Sequence, residues 1–99
     1  MNLSKLMGKA QEMKKDLERA QKEVEALVVQ GRARDGAVVV TLLGTGALES
    51  VDIAPDLLSS FQDMIGDLVV LAHKDAFKVL EEKKKKIMGR VQGGFSLPF

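Results

Sequence analysis

The sequence predicts an α+β fold of order α-β-β-β-α, in which two long helices project as arms from a three-stranded antiparallel sheet. Three observations indicate this fold: a heptad repeat at the start of the chain, three short β-branched segments separated by glycine-containing turns, and a second long amphipathic stretch. A chain of 99 residues suffices for one domain. We assign that domain to residues 1–91 and interpret residues 92–99 as a glycine-rich, apolar C-terminal tail.

The first helix is predicted from about residue 3 to about residue 27. Its apolar residues are spaced alternately by three and four positions, which is the pattern of the a and d positions of a coiled coil. These residues, which we call the heptad stripe, are Leu3, Leu6, Ala10, Met13, Leu17, Ala20, Val24 and Leu27. Either Asn2 or Ser4 is suited to cap the start of the helix.

Three strands joined by short turns are predicted next, at residues 28–34, 37–43 and 48–53. The dipeptide Asp35-Gly36 favours a type I′ turn, because both central residues of that turn require a positive φ. Gly44-Thr45-Gly46 forms the second turn. Sequential strands with such short connections pair as an antiparallel meander.

The second strand is apolar on both of its faces. Val38, Val40 and Leu42 lie on one face, and Ala37, Val39 and Leu43 lie on the other. A sheet that exposes one face to water normally alternates apolar and polar residues. Both faces of this strand are therefore expected to be covered.

The last helix is predicted to run to about Val91. Ala54-Pro55-Asp56 opens a helical turn, since proline is favoured in the first turn of a helix. Ser59 or Ser60 is then suited to cap the long helix. Gly66 lies inside the helix at a cost of about 1 kcal/mol relative to alanine, and we expect another part of the backbone to approach closely there.

A homodimer is expected because the sheet is too small to cover the helices. A helix of 25 residues is about 37 Å long, whereas a strand of seven residues is about 23 Å long. Soluble monomers rarely expose large apolar surfaces. The residues predicted to form the dimer contact or the core seam are Leu3, Leu6, Ala10, Met13, Leu17, Val39 and Leu43.

The charges are sorted along the chain. Residues 1–22 carry a net charge of +3, residues 23–72 carry −6 and residues 73–99 carry +4. If the two long helices pack antiparallel, the far ends of both arms lie together and form one basic pole away from an acidic base. An anionic partner is expected to contact the residues Lys5, Lys9, Lys14, Lys15, Arg19, Lys22, Lys74, Lys78, Lys83, Lys84, Lys85, Lys86 and Arg90.

Lysine-rich arms favour contact with the phosphate backbone of duplex DNA, which is electrostatic and carries little sequence information. The four phenylalanines are too few for a single-strand binder that relies on base stacking. The alternative is a solvated helix face on which lysines pair with glutamates one turn away. The pairs expected in that case are Glu18–Lys22, Glu81–Lys85 and Glu82–Lys86.

Other classes of function find little support in the sequence. The chain has no cysteine and a single histidine, His73, so no metal site is expected. No group of residues combines a nucleophile, a base and an oxyanion donor, and we expect neither an enzyme nor a bound cofactor. The longest apolar run is Leu68–Ala72, far shorter than a membrane span. The first residues also lack the pattern of a signal peptide. These observations predict a cytoplasmic protein that does not insert into a membrane.

Short motifs along the whole chain are similar to those of one known family. The motifs are Asn2-Leu3, Lys5-Leu6-Met7, Ala10-Gln11-Glu12-Met13, the strand positions Val29, Gly31, Gly36, Val38, Val40, Gly44 and Val51, then Val51–Leu58, Asp67-Leu68-Val69, Asp75-Ala76, Gly93-Gly94-Phe95 and Leu97-Pro98. In this order and spacing the chain resembles the YbaB/EbfC family of bacterial nucleoid-associated proteins.

The resemblance implies a tweezer-like homodimer whose helical arms bind double-stranded DNA. It also implies a nucleoid-associated location and a contribution to chromosome organisation or gene regulation. Two other functions stay open at this point. The first is a protein–protein adaptor that docks a DNA repair, recombination or replication factor through the tail Phe95–Phe99 or through the heptad arms, and the second is RNA binding.

Overall fold

The computed structural model describes residues 2–92, and the side chains up to Val91. The elements follow the predicted order; the helical turn expected at Ala54-Pro55-Asp56 is a short helix, and a 3₁₀ turn separates it from the last helix. They are α1 (Leu3–Glu25), β1 (Val28–Ala33), β2 (Val38–Leu43), β3 (Leu48–Ile53), α2 (Pro55–Ser60), a 3₁₀ turn (Gln62–Met64) and α3 (Ile65–Gln92). The predicted tail lies outside the described residues except for Gln92, which ends α3.

Helix α1 is capped by Asn2, one of the two residues suited to this role. The side-chain oxygen of Asn2 accepts a hydrogen bond from the backbone N–H of Ser4 at 3.0 Å. The helix ends at Glu25, two residues earlier than expected. The N–H of Leu27 donates to the carbonyl of Val24 at 3.0 Å, which turns the chain directly into β1.

The three strands form the predicted antiparallel meander in the order β1-β2-β3. In the first turn the N–H of Ala37 donates to the carbonyl of Arg34 at 3.1 Å. The φ angles of Asp35 and Gly36 are 54° and 89°, as the type I′ turn requires. The register between β2 and β3 shifts next to Leu42, which marks a β-bulge.

Helix α3 covers one face of the sheet and forms the main core with it. Val38, Val40 and Leu42 on that face have no exposed surface. The helix approaches most closely at Gly31 of β1, where an added Cβ would overlap the backbone of Ala72 and Ala76. The close approach is therefore at a strand glycine, and its predicted location at Gly66 is wrong, since nothing lies within 4 Å of a Cβ built there.

The long helix begins later than predicted. Phe61 leaves the helical region with φ −132° and ψ 42°, so α2 and α3 are separate helices and α3 starts at Ile65. Ser59 does not cap α3; its hydroxyl donates to the carbonyl of Asp56 at 3.2 Å. The ring of Phe61 instead packs under the guanidinium of Arg34, whose central carbon lies 4.6 Å from the ring centre.

The second half of α3 packs antiparallel against the second half of α1. Ala20 and Val24 of α1 form a small core with Ile87, and Met88 and Val91 pack against it. As a result, α3 ends beside the middle of α1. The far ends of the two helices were expected to lie together, and they do not. The first half of α1 continues beyond α3, which gives a molecule of 70 × 22 × 15 Å.

Candidate nucleic-acid interface

The structure separates the charges of the chain into two regions. We call the region formed by residues 2–22 and 81–92 the arm, because it projects beyond the sheet. It contains eleven Lys or Arg and five Asp or Glu, for a net charge of +6. Residues 23–80, which we call the body, contain four Lys or Arg and nine Asp or Glu, for a net charge of −5. The sorting seen along the sequence is thus also a sorting in space.

The predicted cationic residues occupy three levels of the molecule. Lys5, Lys9, Lys14 and Lys15 lie on the part of α1 that continues past α3. Arg19 and Lys22 lie where α1 packs on α3, next to the cations of the second half of α3, which are Lys83, Lys84, Lys85, Lys86 and Arg90. Lys74 and Lys78 lie on the half of α3 that covers the sheet, so they belong to the body. All of these residues are exposed.

Three arm cations pair with carboxylates: Arg19 with Asp16 at 3.7 Å, Lys84 with Glu81 at 3.8 Å, and Arg90 with Glu23 at 3.2 Å. These side chains are all at least 47% exposed, and exposed pairs contribute only about 0.2–1 kcal/mol each. The i,i+4 pairs expected for a solvated face are absent from the described residues. The eight other arm cations have no carboxylate within 4 Å in this part of the chain.

The residues predicted for a dimer or core seam are not buried within one chain. Leu3, Leu6 and Leu17 are 71%, 47% and 37% exposed, whereas Ala20 and Val24 of the same heptad stripe are buried. Ala10 is exposed and Met13 is half-buried. Val39 and Leu43 are also half-buried and lie on the face of β2 that α3 does not cover. Within residues 2–91, no other helix packs extensively on that face.

Sequence reasoning missed one residue of this uncovered face. Val28 pairs with Leu43 in the β1–β2 register and is 57% exposed. The burial of β1 alternates strictly from residue to residue. Alternate residues of a strand point to opposite faces, so Val28 shares its face with Gln30 and Arg32. This alternation is the sequence signal that places Val28 on the uncovered face.

The described residues offer no sign of other chemistry. Among residues 2–92 there is no group of three or more His, Cys, Asp or Glu side chains able to hold a metal ion. No described helix combines the length and hydropathy needed to cross a membrane. His73 is exposed on α3.

Comparison with known proteins identifies the family. The model of the YbaB/EbfC DNA-binding family matches residues 1–95. The chain belongs to the YbaB/EbfC family. Two relatives named as nucleoid-associated proteins come from Xanthomonas campestris and Xylella fastidiosa. The first is 40% identical over 97 residues, and the second is 41% identical over 97 residues. Each alignment covers 98% of this chain, and 91% and 90% of the respective relative.

A solved structure supports the YbaB/EbfC fold. The Helicobacter pylori protein HP0035 is similar with a TM-score of 0.73 and 24% sequence identity, over 91% of this chain and 96% of that chain. This likeness concerns the fold alone. It confirms the predicted α-β-β-β-α architecture, and the family match confirms the resemblance found in the sequence motifs.

Proposed function

We propose that this YbaB/EbfC family member is a nucleoid-associated protein that binds double-stranded DNA as a homodimer. The arms contact the phosphate backbone with little sequence specificity, and the protein contributes to chromosome organisation or gene regulation. The observation that carries this proposal is the separation of a +6 arm from a −5 body. A polyanion would be attracted to the arm and repelled by the body, so the separation also orients the protein on its partner.

The kind of side chain on the arm supports backbone contact. Nine of the eleven arm cations are lysines, which neutralise phosphates as point charges and do not form the bidentate base contacts typical of arginine. The eight unpaired cations leave their charge available to phosphates. The part of α1 that belongs to the arm is about 30 Å long, so these charges are spread over several successive phosphates of a duplex.

The uncovered face of the sheet supports the homodimer. Val28, Val39 and Leu43 present apolar surface there, and a second copy of the chain offers the same face in return. Pairing through the free edge of β1 is disfavoured, because the carboxylate of Asp75 on α3 already accepts a hydrogen bond from the N–H of Arg32 at 2.9 Å. The outer edge of β3 is also free, but the apolar residues lie on the face of the sheet, so face-to-face packing of two sheets is the proposed contact.

The proposal predicts salt-dependent, sequence-independent binding. The association constant for random-sequence duplexes should fall steeply as the salt concentration rises. A plot of the logarithm of this constant against the logarithm of the salt concentration should have a slope of about −0.9 for each phosphate contact. Replacing Lys83–Lys86 with alanine should weaken binding equally on unrelated sequences. Gel-shift titrations at both salt concentrations measure this. Undetectable or salt-insensitive binding would contradict the proposal.

The two remaining alternatives are separated by a protein-capture assay and by RNA competition in the gel shift. An adaptor that docks a DNA-processing protein is favoured by the apolar residues of α1 that α3 leaves uncovered. If the tail is the docking segment instead, deleting Phe95–Phe99 should abolish capture of that protein while leaving DNA binding intact. Preferential RNA binding would appear as displacement of the labelled duplex by structured RNA at much lower concentration than by unlabelled duplex.

A further inference from the structure

The side of α3 that points away from the sheet carries a group of exposed apolar and charged residues. Leu68, Ala72, Ala76 and Leu80 of α3 face the main core and are buried. Because a helix turns by about 100° per residue, the residues opposite to these four share one sector of about 120° on the outer side. We call this group the α3 patch; all its members are exposed, and they are Asp67, Val70, Leu71, Lys74, Phe77 and Lys78.

The apolar residues of the α3 patch are unusually exposed for their size. Val70, Leu71 and Phe77 are 52%, 55% and 49% exposed. Single exposed apolar residues are normal on a soluble protein, but a contiguous group with charges at its rim is typical of an interaction surface. In the described part of the chain no element covers these residues, so the α3 patch is available to a partner.

The charges of this surface are arranged symmetrically about its apolar centre. Acidic residues precede the midpoint between Val70 and Leu71, and basic residues follow it. The residues at equal distances from that midpoint are Asp67 and Lys74 and, further out, Asp63 of the 3₁₀ turn and Lys78. Within residues 2–91, none of these four charged side chains has an ion-pair partner.

This arrangement makes the α3 patch complementary to itself. If two copies of α3 pack antiparallel about a two-fold axis at the midpoint, each Asp67 comes level with Lys74 of the other copy. Each Asp63 likewise comes level with Lys78, and the apolar residues of both copies meet at the axis. A parallel pairing would instead place Asp67 against Asp67 and Lys74 against Lys74, which is repulsive.

We propose that the α3 patch binds a second copy of this chain, with the two α3 helices antiparallel. The α3 patch is much smaller than the roughly 20–30 residues a side of a stable interface, so the contact is weak and mostly dissociated in dilute solution. The uncovered face of the sheet lies on the other side of the chain. If the homodimer proposed above forms there, the α3 contact joins such dimers in series. This last step rests on the proposed homodimer, whereas the α3 contact itself does not.

Disulfide trapping detects a weak contact of this kind. The natural chain contains no cysteine, so the variant Leu71→Cys has one thiol per chain. With helix axes about 9 Å apart, the Cα atoms of the two copies of residue 71 come within about 6 Å across the axis, which permits a disulfide. Mild oxidation should therefore link two chains, as a non-reducing gel would show. The matched control His73→Cys places an exposed thiol on the same helix outside the α3 patch and should react at least about tenfold more slowly.

Charge reversal tests the antiparallel pairing. In the Leu71→Cys chain, Asp67→Lys places lysine against lysine and Lys74→Asp places aspartate against aspartate, so each variant alone should be linked about fivefold more slowly. An equal mixture of the two variants places opposite charges together again. The mixed disulfide, recognised by its mass, should then form about as fast as in the parent chain. The control Glu49→Lys makes the same change of net charge at an exposed residue of β3 and should not slow linking, since about 0.15 M salt screens distant charges.

Three outcomes would overturn the proposal. Equal rates for Leu71→Cys and His73→Cys would mean that a different protein occupies the α3 patch. A mixture of the charge variants that is linked no faster than either alone would exclude antiparallel pairing. Trapping should also persist when Val39→Asp/Leu43→Asp removes the sheet contact, with circular dichroism as a check of the fold. Loss of linking there would mean that the thiols meet only within the sheet-to-sheet dimer. None of these readouts uses DNA, so the α3 contact is tested separately from the proposed function.

Discussion

At the scale of single residues, three small side chains set how closely α3 lies on the sheet. Gly31 stands opposite Val40 in the β1–β2 register, and Ala72 and Ala76, both without exposed surface, cross above it. The space is so narrow that a Cβ at Gly31 would overlap the helix backbone. The position of α3, and with it the direction of the arm, depends on this contact.

The variant Gly31→Ala should therefore destabilise the protein. Forcing a methyl group against backbone atoms requires α3 to shift, and overpacking of this kind costs about 1–3 kcal/mol. The control is Gly66→Ala, where a Cβ meets nothing within 4 Å and the helix propensity of alanine should raise the free energy of unfolding by up to about 1 kcal/mol. Urea unfolding of both variants measures the difference. A Gly31→Ala protein as stable as the natural one would show that the contact is not tight.

Residue-level reasoning from the sequence succeeds where local chemistry decides and fails where packing decides. The turn at Asp35-Gly36 is predictable because its positive φ angles are a local requirement. The sequence points to Gly66 instead of Gly31 for the close approach, because helical periodicity shows which face is apolar but not where another element crosses it. A break before the long helix is predicted at Ser59 or Ser60, but its position at Phe61 escapes prediction, because the ring packs under Arg34, a residue from a distant turn.

At the scale of elements, β2 has one face in the core and one face that no helix of the described chain covers. The residue types alone predict this need for a second cover. They do not predict that only the C-terminal part of the heptad stripe packs on α3, because a uniform 3–4 spacing gives no information on where the partner helix ends. The split of the stripe at Ala20 is a consequence of the antiparallel offset between α1 and α3.

If the dimer forms through the uncovered face of the sheet, charged substitutions on that face should dissociate it into monomers. The double variant Val39→Asp/Leu43→Asp would bury carboxylates without partners in the sheet-to-sheet contact, which is costly, so it should sediment as a monomer. Both residues are only half-buried in one chain, and the fold should survive, as circular dichroism would show. The control Leu58→Asp changes an equally apolar residue, 51% exposed on α2, and should stay dimeric. A dimeric double variant would place the contact elsewhere.

At the scale of the whole molecule, the fold converts a linear order of charges into a charged arm on an oppositely charged body. The two basic segments are about 60 residues apart in the sequence, and the antiparallel contact of Ala20 and Val24 with Ile87 brings them together. The sequence predicts this placement in outline. It assigns Lys74 and Lys78 to the basic pole with the others, because a segment's net charge does not show which half of α3 rests on the sheet.

The most direct test of the central claim compares two double variants with the same change of charge. Lys85→Ala/Lys86→Ala removes two unpaired cations of the arm, and Lys74→Ala/Lys78→Ala removes two exposed cations of the body from the same helix. Affinity for a random-sequence duplex is measured over a series of salt concentrations. If the arm binds DNA, the arm variant should bind more weakly than the natural protein. Its slope of log affinity against log salt concentration should also become smaller by about 0.9 for each phosphate that is no longer neutralised. The body variant should keep a slope close to that of the natural protein. Equally weakened binding in both variants, or weaker binding by the body variant, would contradict the claim that the arm binds DNA.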